Sequence, residues 1–151
     1  MPIGWSCRAR LTTALSLAAL AVTAGCMPPS KDLDPALKRP AVESKYIVAL
    51  QPPVQPAAIN QLHMWHVLVA LSAGAPVPNA RIKVDGGMPP LGHGMPTRPQ
   101  GTRELPDGRY LMECMKFSMT GWWEIKLAVD GPKGADRVTF NAVVAETGAT
   151  R

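Results

Sequence analysis

The residues of this chain best suited to chemistry concentrate in one short stretch, Met88-Pro89-Pro90-Leu91-Gly92-His93-Gly94-Met95-Pro96. Gly92 and Gly94 flank His93, leaving the imidazole without bulky neighbours and the backbone free to adopt unusual angles. His93 and Met95 form a His-x-Met pair, with Met88 upstream. Thioether sulfur is a soft donor and imidazole suits copper. A Met/His cluster without several thiolates or carboxylates therefore selects Cu(I) over zinc, magnesium or calcium. The rest of the inventory adds weight: all three histidines (His63, His66, His93) fall between positions 63 and 93, and Met64, Met88, Met95, Met112, Met115 and Met119 lie in the same domain. Met112 and Met115 read as core filling. Met119 stands beside Thr120-Gly121, next to a turn, where filling a core is less needed. The expected ligands are His93, Met95 and Met119, with Met88 and His63 next.

These side chains must be positioned by short β-type runs separated by turns. Tyr46, Val48 and Leu50 alternate before Gln51-Pro52-Pro53 stops the run. Trp65, Val67, Val69 and Leu71 alternate next, then Ala80, Ile82 and Val84, a strand that Asp85-Gly86-Gly87 closes. Pro106-Asp107-Gly108 forms a turn feeding 109–117. Trp123, Ile125, Leu127 and Val129 alternate with Trp122, Glu124, Lys126 and Ala128, and Val138 to Val144 follows a Gly/Pro loop. No stretch beyond the leader sustains a 3.6-residue period. The pattern predicts an all-β protein, a single immunoglobulin-like antiparallel β-sandwich of about seven strands.

Parity constrains the site. Side chains in a strand alternate faces, so His63 shares a side with Trp65 and Val67, while Met64 and His66 point the other way. His63, at the beginning of its strand, reaches a loop site even from the core-facing side; His66 reads as plain surface. Trp123 belongs to the core, which turns Trp122 outward as a candidate partner contact. Cys114, in a strand, reads as a buried inert thiol or else a soft metal ligand.

Several reaction classes are unsupported. The chain has no P-loop, no GxGxxG, no HExxH, no CxxC and no Gly-x-Ser-x-Gly, and its carboxylates are dispersed. An enzyme is not expected. The formal net charge of +5 falls to +3 without Arg8 and Arg10, and the remaining Lys and Arg are scattered, which disfavours nucleic acid as a partner.

Residues 1–25 read as a secretory signal: Arg8 and Arg10 precede an apolar stretch from Leu11 to Val22 too short to span a bilayer. Val22-Thr23-Ala24-Gly25-Cys26 resembles a lipobox, which makes Cys26 the lipidated N-terminus of a bacterial cell-envelope lipoprotein facing the periplasm. No Asp follows Cys26, which favours the outer membrane over the inner. With Cys7 removed and Cys26 lipidated, Cys114 has no disulfide partner. Residues 26–43, with Pro28, Pro29, Pro35 and Pro40, read as a solvated tether. The domain is expected over 44–146 and a tail over 147–151.

Several segments together carry a family resemblance: Leu62-His63-Met64-Trp65, Gly74-Ala75-Pro76-Val77, Asp85-Gly86-Gly87-Met88-Pro89, Gly92-His93-Gly94, Asp107-Gly108-Arg109-Tyr110 and Lys116-Phe117-Ser118-Met119-Thr120-Gly121-Trp122-Trp123-Glu124. In this order they resemble the YtkA-like family, which is similar to FixH-type proteins, and the likeness runs from about Tyr46 to Val144. The resemblance implies a small extracytoplasmic β-sandwich without an established reaction, tied to copper handling and to respiratory oxidase assembly. It implies a copper-receiving protein or an oxidase assembly factor as partner. Its alternatives are a metal-free interaction module and a small-molecule (auxin-like) binder. Relatives often carry a second histidine in the Met-Pro-x-x-Gly-His-Gly loop; this chain has Pro90-Leu91 there, with Met95 as the replacement ligand.

Overall fold

The structure, a computed structural model, describes residues 32–55 and 57–145. The leader, Cys26 and the tail expected over 147–151 lie outside the described residues. Nine strands follow in chain order: β1 (Lys38–Pro40), β2 (Ile47–Gln51), β3 (Leu62–Ala70), β4 (Arg81–Met88), β5 (His93–Gly94), β6 (Gln100–Glu104), β7 (Arg109–Lys116), β8 (Gly121–Gly131) and β9 (Gly134–Val144). All pairings are antiparallel, in the order β1-β2-β3-β7-β6-β4-β8-β9, with β5 added to β4. A single residue pair, Lys83 with Gln100, links β4 to β6. The sheet bends at that seam, and β1-β2-β3-β7-β6 packs against β4-β8-β9. The protein is all-β, as the alternation predicts. The three strands for which the sequence offers no run of its own, β1, β5 and β6, are short, and their two to five residues carry little periodic signal.

The alternation sets the core. Trp123, Ile125, Leu127 and Val129 of β8 meet Trp65, Val67 and Val69 of β3 and Tyr46, Val48 and Leu50, all at most 4 % exposed. Each such side chain contributes about 1.5–3 kcal/mol through removal from water. Trp65, Phe117 and Trp123 bridge the layers edge to face, with centroids 6.0 and 5.2 Å apart.

One strand breaks the alternation. Between β3 and β7, His63 pairs with Met115 but Trp65 pairs with Met112, so β7 holds one residue too many. Cys114 takes up the excess at φ 61°, a β-bulge. Met112 and Met115, three apart, consequently both point into the core with Phe117. Cys114, expected to be buried by simple parity, is exposed instead.

The tether also differs from expectation. Lys38–Pro40, within the 26–43 spacer, pairs with β2, and Ala41 is 3 % exposed. Pro40 is tolerated because an edge strand can spare an N–H. The same segment covers the edge of β9: the Val42 N–H donates to the Arg137 carbonyl (2.8 Å), Arg39 Nη1 to the Thr139 carbonyl (3.0 Å), and the Glu43 and Lys45 N–H groups to the Asp136 carboxylate (3.0 and 3.1 Å). Burial raises the Asp136 pKa, but backbone N–H donors from Glu43, Arg137 and Lys45 and the nearby Lys45 charge outweigh it, so the carboxyl lies below its ordinary value.

Candidate functional site

At one end of the sandwich, here called the rim, meet the start of β3, the end of β4, all of β5, the end of β7, the start of β8 and the end of β9. Registers place Leu62 beside Lys116, Gly87 beside Glu124 and Gly121 beside Val144. Every ligand candidate, His63, Met88, His93, Met95 and Met119, lies on an element that reaches this end.

The β4–β5 ribbon brings three of them together. Pro89–Leu91 form a 3-10 turn, and Gly92 at φ 63° and ψ 19° reverses the chain. Met88 then pairs with His93, Gly87 with Gly94, and the Met95 N–H donates to the Gly86 carbonyl at 2.9 Å. Directly opposed residues of an antiparallel pair point to the same side, as do residues two apart in one strand. Met88, His93 and Met95 therefore share the side of the ribbon that Gly86 occupies. The Met95 methyl bears this out, standing 2.9 Å from where a Cβ on Gly86 would be.

Asp85-Gly86-Gly87 does not close β4 as the sequence suggested; the strand runs on to Met88. These glycines sit inside it because backbone approaches too closely for a side chain. The Glu124 carbonyl would lie 2.5 Å from a Gly86 Cβ, and the His93 carbonyl would overlap one on Gly87.

Met88 is 5 % exposed, and its methyl lies 2.9 Å from where a Cβ on Gly121 would stand. Met119, two residues before Gly121, is half-buried against the core, and its carbonyl accepts the Trp123 indole N–H at 3.1 Å. The start of β8 that follows the 117–120 turn thus meets the β4–β5 ribbon at Met88. His93 is exposed at the tip, and Met95 is half-buried beneath it.

His63 lies on the other layer. It is half-buried on the Trp65 side, as parity requires, with its ring centroid 6.3 Å from that of Phe117. Its Nε2 is 2.8 Å from the Ala58 carbonyl. A carbonyl only accepts, so Nε2 carries the hydrogen and Nδ1 keeps its lone pair in the neutral ring. Phe117 packs against both this imidazole and Trp123, with centroids 6.3 and 5.2 Å away.

Trp122 is half-buried rather than freely exposed, because its indole N–H donates to Asn141 Oδ1 at 3.1 Å across β8 and β9. Its strand partner Val143 is the exposed member of the pair. A shallow cleft of about 210 Å³ at the ribbon is lined by Asp85, Gly86, Met88, His93, Glu124 and Lys126, where Lys126 pairs with Glu124 at 3.0 Å. Among the described residues no three of His, Cys, Asp and Glu converge on one point. Any metal held at the rim would draw chiefly on thioethers.

Sequence reasoning missed Phe117 and the two glycine contacts. Phe117 follows Met115 at strand spacing, which signals its burial, but nothing local reveals that it packs against both His63 and Trp123.

The fold and the rim define a small antiparallel β-sandwich whose neutral sulfur and imidazole donors gather at one end. A family model described as YtkA-like matches residues 41–128, more than half of the chain, and the chain belongs to the YtkA-like family. No curated protein and no solved structure matches it.

Proposed function

We propose that this chain is a periplasm-facing lipoprotein that binds Cu(I) through its Met/His rim and buffers the ion or delivers it to a copper-receiving protein. The observation carrying this reading is the common orientation of Met88, His93 and Met95 on one side of the β4–β5 ribbon, with the Met88 methyl packed over Gly121, two residues after Met119. The donor set fits the cargo: soft, uncharged thioethers with one imidazole favour Cu(I) and offer hard cations little. Exposed His93 is the point of entry, and half-buried Met95 and Met119 hold the ion behind it. Met88, already packed over Gly121, backs the site, and His63 contributes only if its Nδ1 turns past Phe117. A site open on one side releases cargo to a recipient more readily than a closed one.

Equilibrium dialysis with Cu(I) under reducing conditions tests this. His93→Ala combined with Met119→Ala is expected to lower affinity at least about tenfold, equivalent to about 1.4 kcal/mol, with an unchanged β-type circular dichroism spectrum. Unaltered binding by the double variant removes the proposed site. The lipoprotein part is tested separately by the mass of the mature chain, which should begin at Cys26 and carry the lipid.

A further inference from the structure

The two ends of the sandwich differ in apolar exposure. The rim connections, residues 52–61, 89–99 and 117–120, contain a single charged residue, the exposed Arg98. Five of the seven exposed large apolar residues among those described, Val54, Leu62, Met64, Leu91 and Val143, sit on or beside these connections. Lys116, at the end of β7, is a second basic residue on their margin. Ion pairs Lys45–Glu43, Arg81–Asp130 and Arg109–Asp107 lie at the opposite end, while Lys126–Glu124 and Arg39–Asp34 lie on the flanks toward the rim.

The chain also enters the fold near the rim. β1 runs antiparallel to β2, whose end points toward the rim, so residues 34–37 lie on the rim side of β1. The Asp34 carbonyl accepts a hydrogen bond from Asn141 Nδ2 at 2.9 Å, three residues before the end of β9.

We infer that the apolar rim, with Arg98 and Lys116 at its margin, lies against the surface of a lipid bilayer, with Leu91 and its apolar neighbours seated at the acyl boundary. This rests on the lipidation of Cys26 proposed above. Eight residues separate Cys26 from Asp34, a relaxed distance of roughly 14–17 Å for a flexible chain and about 29 Å at full extension. With the rim down, the three residues from Asn141 to Val144 hold Asp34 roughly 10 Å from the bilayer, well within the relaxed reach. With the rim up, the seven residues from Gly134 to Asn141 lift Asp34 to roughly 24 Å, which stretches the connection and sets the charged end against hydrocarbon. Chain reach and surface chemistry select the same pose. Apolar side chains in that pose enter about 5–10 Å into the headgroup and acyl boundary, and an ion leaving the rim meets the membrane face.

The test uses the mature lipidated protein in phosphatidylcholine vesicles whose acyl chains carry bromine. In a Cys114→Ser background, one environment-sensitive fluorophore is attached at Leu91→Cys and, in a second sample, at Asp107→Cys on the opposite end. Bromine is expected to quench the probe at 91 several-fold more than the probe at 107. Introducing Leu62→Asp and Val54→Asp together, with the circular dichroism spectrum unchanged, should abolish that difference while the lipid keeps the protein on the vesicle. Equal quenching at the two positions, or none at 91, overturns the inference; the latter result would leave the rim for a protein partner. The mass of the mature chain and Cu(I) dialysis are read independently, so failure of the orientation is distinct from failure of lipidation or metal binding.

Discussion

At the end of the sandwich formed by the turns 41–46, 105–108 and 132–133, polar groups are paired off one by one. The Tyr46 hydroxyl donates to the Gly134 carbonyl (2.8 Å) and accepts from the Lys133 N–H (2.9 Å). The Tyr110 hydroxyl donates to Val77 and accepts from Ala80, and burial, the larger influence, raises its pKa above the ordinary phenol value. Asp136 ties the 43–45 turn to β9. The rim instead is closed by aromatic and thioether packing, with Phe117, Trp123 and Met88 beneath its connections. Hydrogen bonds with fixed partners suit an end whose task is to hold the two layers in register. Neutral sulfur and imidazole, not engaged in ion pairs, suit an end that binds something else.

The contrast can be broken most forcefully at Trp123, which is fully buried and donates to the Met119 carbonyl. Trp123→Ala is expected to cost about 3–5 kcal/mol in urea unfolding and to weaken Cu(I) retention by freeing the Met119 turn. A loss of stability with Cu(I) affinity intact would show that rim packing and ion binding are independent.

A smaller effect is expected at the polar end. Asp136→Ala leaves buried backbone donors without their acceptor, costing about 1–3 kcal/mol without altering Cu(I) binding. The sign of its pH dependence follows from the depressed carboxyl. The stabilisation is complete above the ordinary value of 3.8 and is lost as pH falls below that, through the lower folded value. The stability difference between wild type and variant, followed by urea titration at several pH values, should therefore be constant near neutrality and shrink only in acid.

The smallest effect on folding belongs to His93. Its ring is exposed, so His93→Ala should change stability by no more than about 0.5 kcal/mol while lowering Cu(I) affinity. A large destabilisation, seen as a shifted urea midpoint, would recast His93 as part of the scaffold and erase the distinction between the ends.

Much of this arrangement is legible along the chain. The alternation in 123–129 and 65–69 identifies the facing surfaces, and parity alone puts His63 on the Trp65 side. The bulge at Cys114 is not legible, since a strand can absorb an extra residue at many positions and only the register with β3 selects this one. β1 hides for a related reason. Its three residues have no period to read, and the edge of β9 that they cover lies about 100 positions away.

What the residues determined by themselves is local. Strand runs follow from side chains that bury every second position, and the Pro-Pro-Leu-Gly turn follows from backbone angles that proline prefers and glycine permits. Tertiary structure alone decided which of the donors meet. Opposed register put Met88, His93 and Met95 on one side of a ribbon, close approach of the Glu124 and His93 carbonyls required Gly86 and Gly87 within a strand, and Phe117 came to pack against both His63 and Trp123. Contacts of that kind depend on how separate strands are aligned, a property of pairs that no single segment contains.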